Sequence, residues 1–457
     1  MSDRENRNTS SQWHSSVGFV AAAAGSAVGL GNIWKFPYIT GENGGGSFVL
    51  FYLLCIVVLG LPIMIAEVMI GRTTQSSPIR AFKRLSSNWQ AVGLLGVLAG
   101  ILILSYYSVV AGWGLHYLYL SLIAGFPQDN NPQVYAELFD SLVQSTRLNI
   151  WWHSVFMGIT ILVVLRGIRG GIEQAANWAM IALLLLLAGL AVYGTTLPGF
   201  APAVEFVFGF SRNFTWKSAL EALGHAFFSL SLGLGAMLTY GSYLQRQDDL
   251  VGTSIAIAIA DTIVALGSCL VLFPIAFSVG LEPSAGPGLI FINIPLALLQ
   301  LPFGRVGLLL FFSLLLLAAL TSAISLLEMS VSSAIDSWGW SRKIATVAMG
   351  AFIYLLGIPS CLSGGTGFFG AGLKQSIGMS WFDAADYLSS NWLLPLGGIG
   401  ISLFMGWGWR DGQQKSEFAA GSRLGSISGV YHAWLFVLRW LCPIVIVLIM
   451  LYNLQVL

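Results

Sequence analysis

Charge is scarce in this sequence. Only 9% of its 457 residues are Asp, Glu, Lys or Arg, against about a quarter in soluble domains. With 56% hydrophobic residues and a mean hydropathy of +0.78, the chain lacks the polar surface of a water-soluble fold. A net charge of +1 supplies no basic field for nucleic acid. Cysteine is sparse too. Cys55, Cys269, Cys361 and Cys442 have no paired spacing and read as buried thiols, not as a disulfide or metal framework. The five histidines (His14, His116, His153, His225 and His432) are scattered, which argues against a zinc site. The first 15 residues lack the basic, apolar and small-residue order of a cleaved leader. No nucleophile–base constellation or cofactor fingerprint stands out, so enzyme activity and an organic cofactor are not expected.

What the chain has in abundance is long apolar runs. A membrane span needs about 20 mostly apolar residues. Eleven candidates fall near 16–41, 46–70, 89–125, 150–166, 172–196, 218–243, 251–281, 304–338, 342–361, 380–408 and 430–457. With the N-terminus inside, fourteen Lys and Arg lie in inner segments and five in outer ones. That bias follows the positive-inside rule. It predicts a multi-pass protein of the plasma (inner) membrane with a cytoplasmic N-terminus and an outside C-terminus. The segment 283–303 is apolar but interrupted by Pro283, Pro287, Pro295 and Pro302. It reads as a folded outer lid or hairpin, with an ordinary loop as the open alternative.

The first span contains GSAVGLGNIWKFP, residues 25–37. Three glycines, an amide, a lysine and a proline weaken it as a lipid-facing helix. Glycine costs about 1 kcal/mol relative to alanine in a helix interior, and a lysine at bilayer depth costs a few kcal/mol or more. The pattern Val28-Gly29-Leu30-Gly31-Asn32 has a counterpart in the sixth span, Leu232-Gly233-Leu234-Gly235-Ala236. Five spans separate the starts of the two halves, so the second enters the membrane in the opposite direction. Interrupted spans at matching places in inverted halves point to the midplane site of a secondary transporter. Unwound backbone is tolerated at that depth where it lines a cavity. The alternative is that Gly-x-Gly only allows close helix packing.

Further stretches make the pattern specific. GSAVGLGNIWKFP with ENGGGSF (42–48), GLPIMIAEVMIGR (60–72), SYYSVVAGW (105–113), AFFSLSLGLGAMLTYGSY (226–243), LTSAISLLEMSVSSAIDSW (320–338) and FDAADY (382–387) occur in order. Together they resemble the neurotransmitter:sodium symporter family, most nearly its bacterial transporters of hydrophobic amino acids. The resemblance implies an all-α polytopic protein with a 5+5 inverted-repeat fold, broken helices 1 and 6, and eleven transmembrane helices. One transport domain would fill 1–457, with a first five-helix repeat at 16–196, an inverted second at 218–408 and an additional helix at 430–457. It implies sodium-coupled symport of an L-amino acid by alternating access. The expected partners are that substrate, sodium ions, numbering two, and the lipid bilayer, with no nucleic acid. A non-cycling amino-acid sensor on a transporter scaffold is the alternative.

The resemblance also assigns residues. A first sodium site would use the Ala27 carbonyl, Asn32, Ser229 and Asp261, completed by the substrate carboxylate. A second would use the carbonyls of Gly25, Val28 and Ala318 with the hydroxyls of Thr321 and Ser322. Oxygen donors of these kinds suit a hard cation. The carboxylate would meet the Leu30 and Gly31 amides and Tyr107. The ammonium would meet carbonyls near Ala27, Phe228 and Ser231. Ser26, Ile103, Phe228, Ser231, Leu234, Ser322, Ser325 and Leu326 would surround the side chain. Leu234 stands where a well-known leucine-transporting relative has an aromatic ring, which favours bulky hydrophobic or aromatic substrates. A membrane carboxylate is functional by default. Asp261 occupies a position that is commonly Asn in the family, and Ala265 one turn on carries no charge, so coupling without chloride is expected. Lys35 and Asp386 would form the outer gate, and Glu67 would support unwound backbone. At the inner gate Trp13 and Asp336 match, but Ser10 stands in place of the usual arginine, with Arg4 or Arg7 as possible substitutes. In the fifth span Gly171 is present but Ile181 replaces a helix-breaking proline, which puts easy unwinding there in doubt.

Overall fold

The computed structural model describes residues 13, 15–127, 129–210, 214–281 and 288–453. Every element of regular structure among them is helical. Nine are long and apolar enough to cross a membrane. They are the second span (Gly46–Thr74), third (Ser87–Leu122), fourth (Thr146–Leu165), fifth (Ile168–Thr195), seventh (Leu250–Ser278), eighth (Gly304–Trp338), ninth (Arg342–Cys361), tenth (Trp381–Gly408) and eleventh (Ser428–Tyr452). The first span is a pair, Val17–Ala27 and Gly31–Glu42, bent by 52°. The sixth is also two pieces, Trp216–Ser229 and Ala236–Gly241, joined by non-helical residues 230–235. The described residues thus hold the eleven expected segments, and the two that fail as continuous helices are the two with the glycine pattern.

The breaks differ in mechanism. In the sixth span Gly233 and Gly235 have φ of +80° and +83°, a region open mainly to glycine. In the first span no glycine has positive φ. The helix ends at Ala27 because Val28 turns extended (ψ 103°). Gly29 and Gly31 instead make room. A Cβ at Gly29 would lie 2.7 Å from the Ser322 hydroxyl, and one at Gly31 would lie 3.0 Å from the Phe228 ring.

Backbone from other spans closes on the sixth-span break. A Cβ at Gly96 would come within 2.3 Å of the Leu234 carbonyl, and one at Gly397 within 2.2 Å of the Gly233 carbonyl. Glu67 is fully buried, and its Oε1 accepts the Gly233 N–H at 2.7 Å. The third and eighth spans pack along each other at the centre, while the fourth, fifth and eleventh expose broad apolar faces where lipid belongs.

Part of the interrupted segment 283–303 forms a helix, Leu289–Gln300, most of whose apolar residues are buried. Phe291 stacks on Phe139 of the short helix Pro132–Gln144 and sits edge-on to Trp113 and Trp34. The fifth span begins with a wide helical turn, Ile168–Glu173, after Gly167 at φ +86°. Ile181 points outward and is largely exposed.

Candidate functional site

The two breaks face each other across the third and eighth spans. Between them is a cavity of ≈ 40 Å³. All twelve residues expected around the substrate line it: Ser26, Ala27, Leu30, Gly31, Ile103, Tyr107, Phe228, Ser231, Leu234, Ser322, Ser325 and Leu326. Gly29, Ser229 and Leu394 complete the wall. That volume holds about two or three waters, so a larger occupant requires the wall to move. The lining is apolar with a few aimed polar groups. The Leu30 N–H donates to the Tyr107 hydroxyl at 3.3 Å, and the Ser231 hydroxyl donates to the Ser26 carbonyl at 3.1 Å. Ser26 and Ser325 share a hydrogen bond of 2.7 Å.

Beside the cavity is a buried acid. Asp261 has no exposure. Asn32 Nδ2 donates to its Oδ1 at 2.7 Å and the Ser229 hydroxyl donates to its Oδ2 at 2.8 Å. The Tyr52 hydroxyl approaches the same Oδ2 at 3.4 Å and donates to Ser229 at 3.1 Å. Asn32 Oδ1 accepts the Gly29 N–H at 3.0 Å, which ties the amide to the first break. No cationic side chain pairs with Asp261 among the described residues. An ionised carboxylate buried this way is costly without a positive partner. Its neighbours are oxygen-bearing groups of the kind that bind a hard cation.

The other group of candidate sodium ligands also converges. The Ser322 hydroxyl lies 3.5, 3.2 and 3.3 Å from the carbonyls of Gly25, Ser26 and Val28. Its neighbour Thr321 turns its hydroxyl back to the carbonyls of Leu317 and Ala318 at 3.1 and 3.0 Å. The two consecutive hydroxyls therefore point to different partners, Ser322 across to the first span and Thr321 within its own helix. Gly25 still backs directly onto Thr321, since a Cβ there would lie 3.1 Å from the Thr321 Cβ.

On the Lys35 side a second cavity of ≈ 230 Å³ lies above the first, lined among others by Trp34, Lys35, Tyr106 and Asp386. Leu30, Gly31, Tyr107 and Phe228 line both cavities and form the partition between them. Lys35 does not ion-pair with Asp386 among the described residues. Its Nζ sits 4.6 Å above the Phe228 ring, a cation–π contact. Asp386 instead accepts from Tyr106 at 2.9 Å and Ser390 at 3.0 Å.

On the opposite side Trp13 is buried, donates its Nε1–H to the Tyr240 carbonyl at 3.1 Å, and packs edge-on against Tyr240 and Tyr243. Asp336 accepts the Ser77 N–H at 2.8 Å and pairs with Arg80 at 3.4 Å. Arg80 belongs to the short helix Pro78–Leu85 between the second and third spans. Arg4, Arg7 and Ser10 lie outside the described residues. Close by, Arg342 grips the fully buried Glu328 with two bonds of 3.1 and 2.6 Å, and Tyr243 donates to the same carboxylate at 2.7 Å. Sequence reasoning missed Tyr52, Arg80, Glu328 and Arg342. For Glu328 a signal existed, an acid deep in the apolar eighth span.

Two broken helices, a buried acid ringed by oxygen donors, and a small cavity closed by aromatic and charged groups on both sides are the features of a membrane transporter with a central site. The sequence profile of the Sodium:neurotransmitter symporter family matches residues 10–146 and 135–373, and the chain belongs to that family. A sodium-dependent transporter of Bacillus subtilis (strain 168), YhdH, is 39% identical over 448 residues, covering 96% of this chain and 97% of the relative. The sodium-dependent serotonin transporter of Drosophila melanogaster is 26% identical, covering 84% of this chain and 71% of the relative. Among solved structures, MhsT in complex with L-phenylalanine is similar, with a TM-score of 0.85 and 39% identity over 97% of this chain and 99% of that one. The chain is thus a multi-pass, sodium-dependent transporter of this family, not an enzyme.

Proposed function

We propose that this chain is a symporter that couples sodium entry to import of bulky hydrophobic or aromatic L-amino acids, without chloride. The observation that carries the reading is Asp261, a fully buried acid with three hydroxyl or amide donors and no cationic partner among the described residues. A sodium ion supplies the missing positive charge, and a fixed carboxylate beside it removes the need for a chloride counter-charge. In this reading Ala27, Asn32, Ser229 and Asp261 hold one sodium and the substrate carboxylate closes its shell. The Asn32 oxygen accepts the Gly29 N–H with one lone pair and has a second to offer the ion. Gly25, Val28, Ala318, Thr321 and Ser322 hold a second ion, and the Thr321 oxygen can offer it a lone pair while its proton stays on its own helix.

The substrate carboxylate displaces the contact between the Leu30 N–H and Tyr107, and both groups then bind it. Leu234 leaves space for a large side chain, and L-phenylalanine bound to MhsT supports that size class. Binding it demands that Phe228 and the partition retract. The Lys35 side faces outward and the Trp13 side faces the cytoplasm, as the charge bias predicts, which puts the C-terminus outside. The repeats at 16–196 and 218–408 rock around the two breaks.

Uptake of radiolabelled phenylalanine, leucine, alanine and glycine into proteoliposomes tests this. An inward sodium gradient should give concentrative uptake, phenylalanine and leucine should outcompete glycine and alanine, and gluconate should replace chloride without loss. Saturable binding without accumulation would mean a sensor. Preference for glycine would refute the substrate class, and loss of uptake in gluconate would refute chloride independence.

A further inference from the structure

One wide cavity has no part in the transport reading. It measures ≈ 900 Å³ and opens on the Trp13 side, where the second span ends, the third begins and the tenth ends. It shares no lining residue with the central cavity. Arg84, Arg246 and Arg410 line it, with Glu417 as its acid. Glu417 is already engaged by Arg246 at 2.9 Å and by the buried Arg72 at 3.8 Å. Among the described residues Arg84 donates to a neutral group, the Thr74 carbonyl at 2.6 Å. Arg410 has no ion-pair partner among the described residues. Among the described side chains, two arginines therefore remain without a carboxylate partner in one concavity.

The rest of the wall supplies neutral donors. Gly412 and Gln413 bring the first turn of the helix Asp411–Ala419, whose N-terminus has no side-chain cap. Such a turn presents free N–H groups and the positive end of the helix dipole. Independently, the Trp409 indole lines the cavity at 6% exposure, and its N–H has no hydrogen-bond partner among the described residues. A buried donor left unpaired is costly. Ser86 and Ser416 add hydroxyls. Two guanidiniums, backbone amide donors and hydroxyls form a set that fits a phosphate group, since arginine binds phosphate oxygens in bidentate fashion.

We propose that this cavity binds a phosphate-bearing anion. Its position at the ends of three apolar helices suits the headgroup of an anionic phospholipid, and the same chemistry accepts a soluble phosphate. The site ties together the helix ends around Thr73, Arg246 and Trp409 and is independent of the transport reading.

The test uses the full-length protein purified in detergent. Dioleoylphosphatidylglycerol, zwitterionic dioleoylphosphatidylcholine, glycerol phosphate and inorganic phosphate are added separately, and retained ligand is read by native mass spectrometry alongside the melting temperature. Retention of phosphatidylglycerol over phosphatidylcholine identifies the headgroup. A melting shift with glycerol phosphate or inorganic phosphate alone identifies a soluble ligand. In either case R84Q and R410Q should each weaken binding about tenfold, and R423Q, an exposed arginine outside the cavity, should not. Wild-type binding should fall steeply with salt, a readout that needs no variant. Binding of no phosphate species, or equal binding by R84Q/R410Q and wild type, would overturn the proposal.

Discussion

The two sides of the central cavity are closed by different chemistry. On the Lys35 side the charged candidates do not meet, since Lys35 rests on the Phe228 ring while Asp386 is held by Tyr106 and Ser390. On the Trp13 side the acids are gripped directly. Glu328 takes two bonds from Arg342 and one from Tyr243, and Asp336 takes a backbone N–H and Arg80. A cation–π contact tolerates sliding of the ring beneath the charge, whereas a bidentate guanidinium–carboxylate pair has one good geometry. In this state, therefore, the Lys35 side is the easier of the two to open.

Removing Arg342 should break that asymmetry most strongly. Glu328 is fully buried, so R342A leaves its carboxylate with Tyr243 alone. Loss of one partner from a buried pair costs about 3–5 kcal/mol. We expect a large fall in melting temperature and faster alkylation, from the Trp13 side, of a cysteine placed at Ser26. The double variant E328M/R342M should recover most of the stability, because an apolar pair of similar volume carries no unpaired charge. Melting of R342A indistinguishable from wild type would refute the assigned role.

Phe228 is the corresponding test on the other side. F228L removes the surface under Lys35 and part of the partition between the two cavities. The lost cation–π contact amounts to about 0.5–2 kcal/mol. Alkylation of the Ser26 cysteine from the Lys35 side should rise by about 2- to 30-fold, with little change from the Trp13 side. Equal increases from both sides would mean that Phe228 supports the whole core and is not specific to one closure.

A smaller effect is expected from R80A. The Arg80 and Asp336 side chains are 46% and 24% exposed, so their ion pair is screened by water. Such pairs contribute about 0–1 kcal/mol, and the Ser77 N–H still holds Asp336 in the variant. Access from the Trp13 side should rise only a few-fold. An effect as large as that of R342A would show that Arg80, and not Glu328–Arg342, dominates this side.

Much of this arrangement was legible in the sequence, for physical reasons that differ by residue. The broken spans were visible because glycine and asparagine within an apolar run are local anomalies. The cavity wall was legible because motifs place Ser26, Tyr107, Phe228, Leu234 and Ser325 on segments that must converge. The closures were less so. Arg80 and Asp336 are 256 positions apart, and neither carries a local pattern that names its partner. Tyr52 is one tyrosine in an apolar helix, and only the fold carries it to Asp261. The glycine pattern itself concealed a distinction. In the sixth span it serves backbone conformation, and in the first it serves close approach to Ser322 and Phe228.

The smallest expected change is at Lys35. Lysine is a compact charge with no planar fork, and over Phe228 it has no carboxylate to grip. Arginine at position 35 keeps the charge and can stack on the same ring. It also adds donors on a longer side chain that can reach into the cavity shared with Asp386. K35R should therefore convert the loose closure into one resembling the Trp13 side. Exposed or half-exposed ion pairs contribute about 0.2–1 kcal/mol, so alkylation of the Ser26 cysteine from the Lys35 side should slow by only about 1.5- to 5-fold. The companion variant K35R/D386N should lose that slowing if Asp386 is the new partner. If K35R slows access and D386N leaves the slowing intact, the gain comes from stacking on Phe228, and the carboxylate takes no part in closing this side.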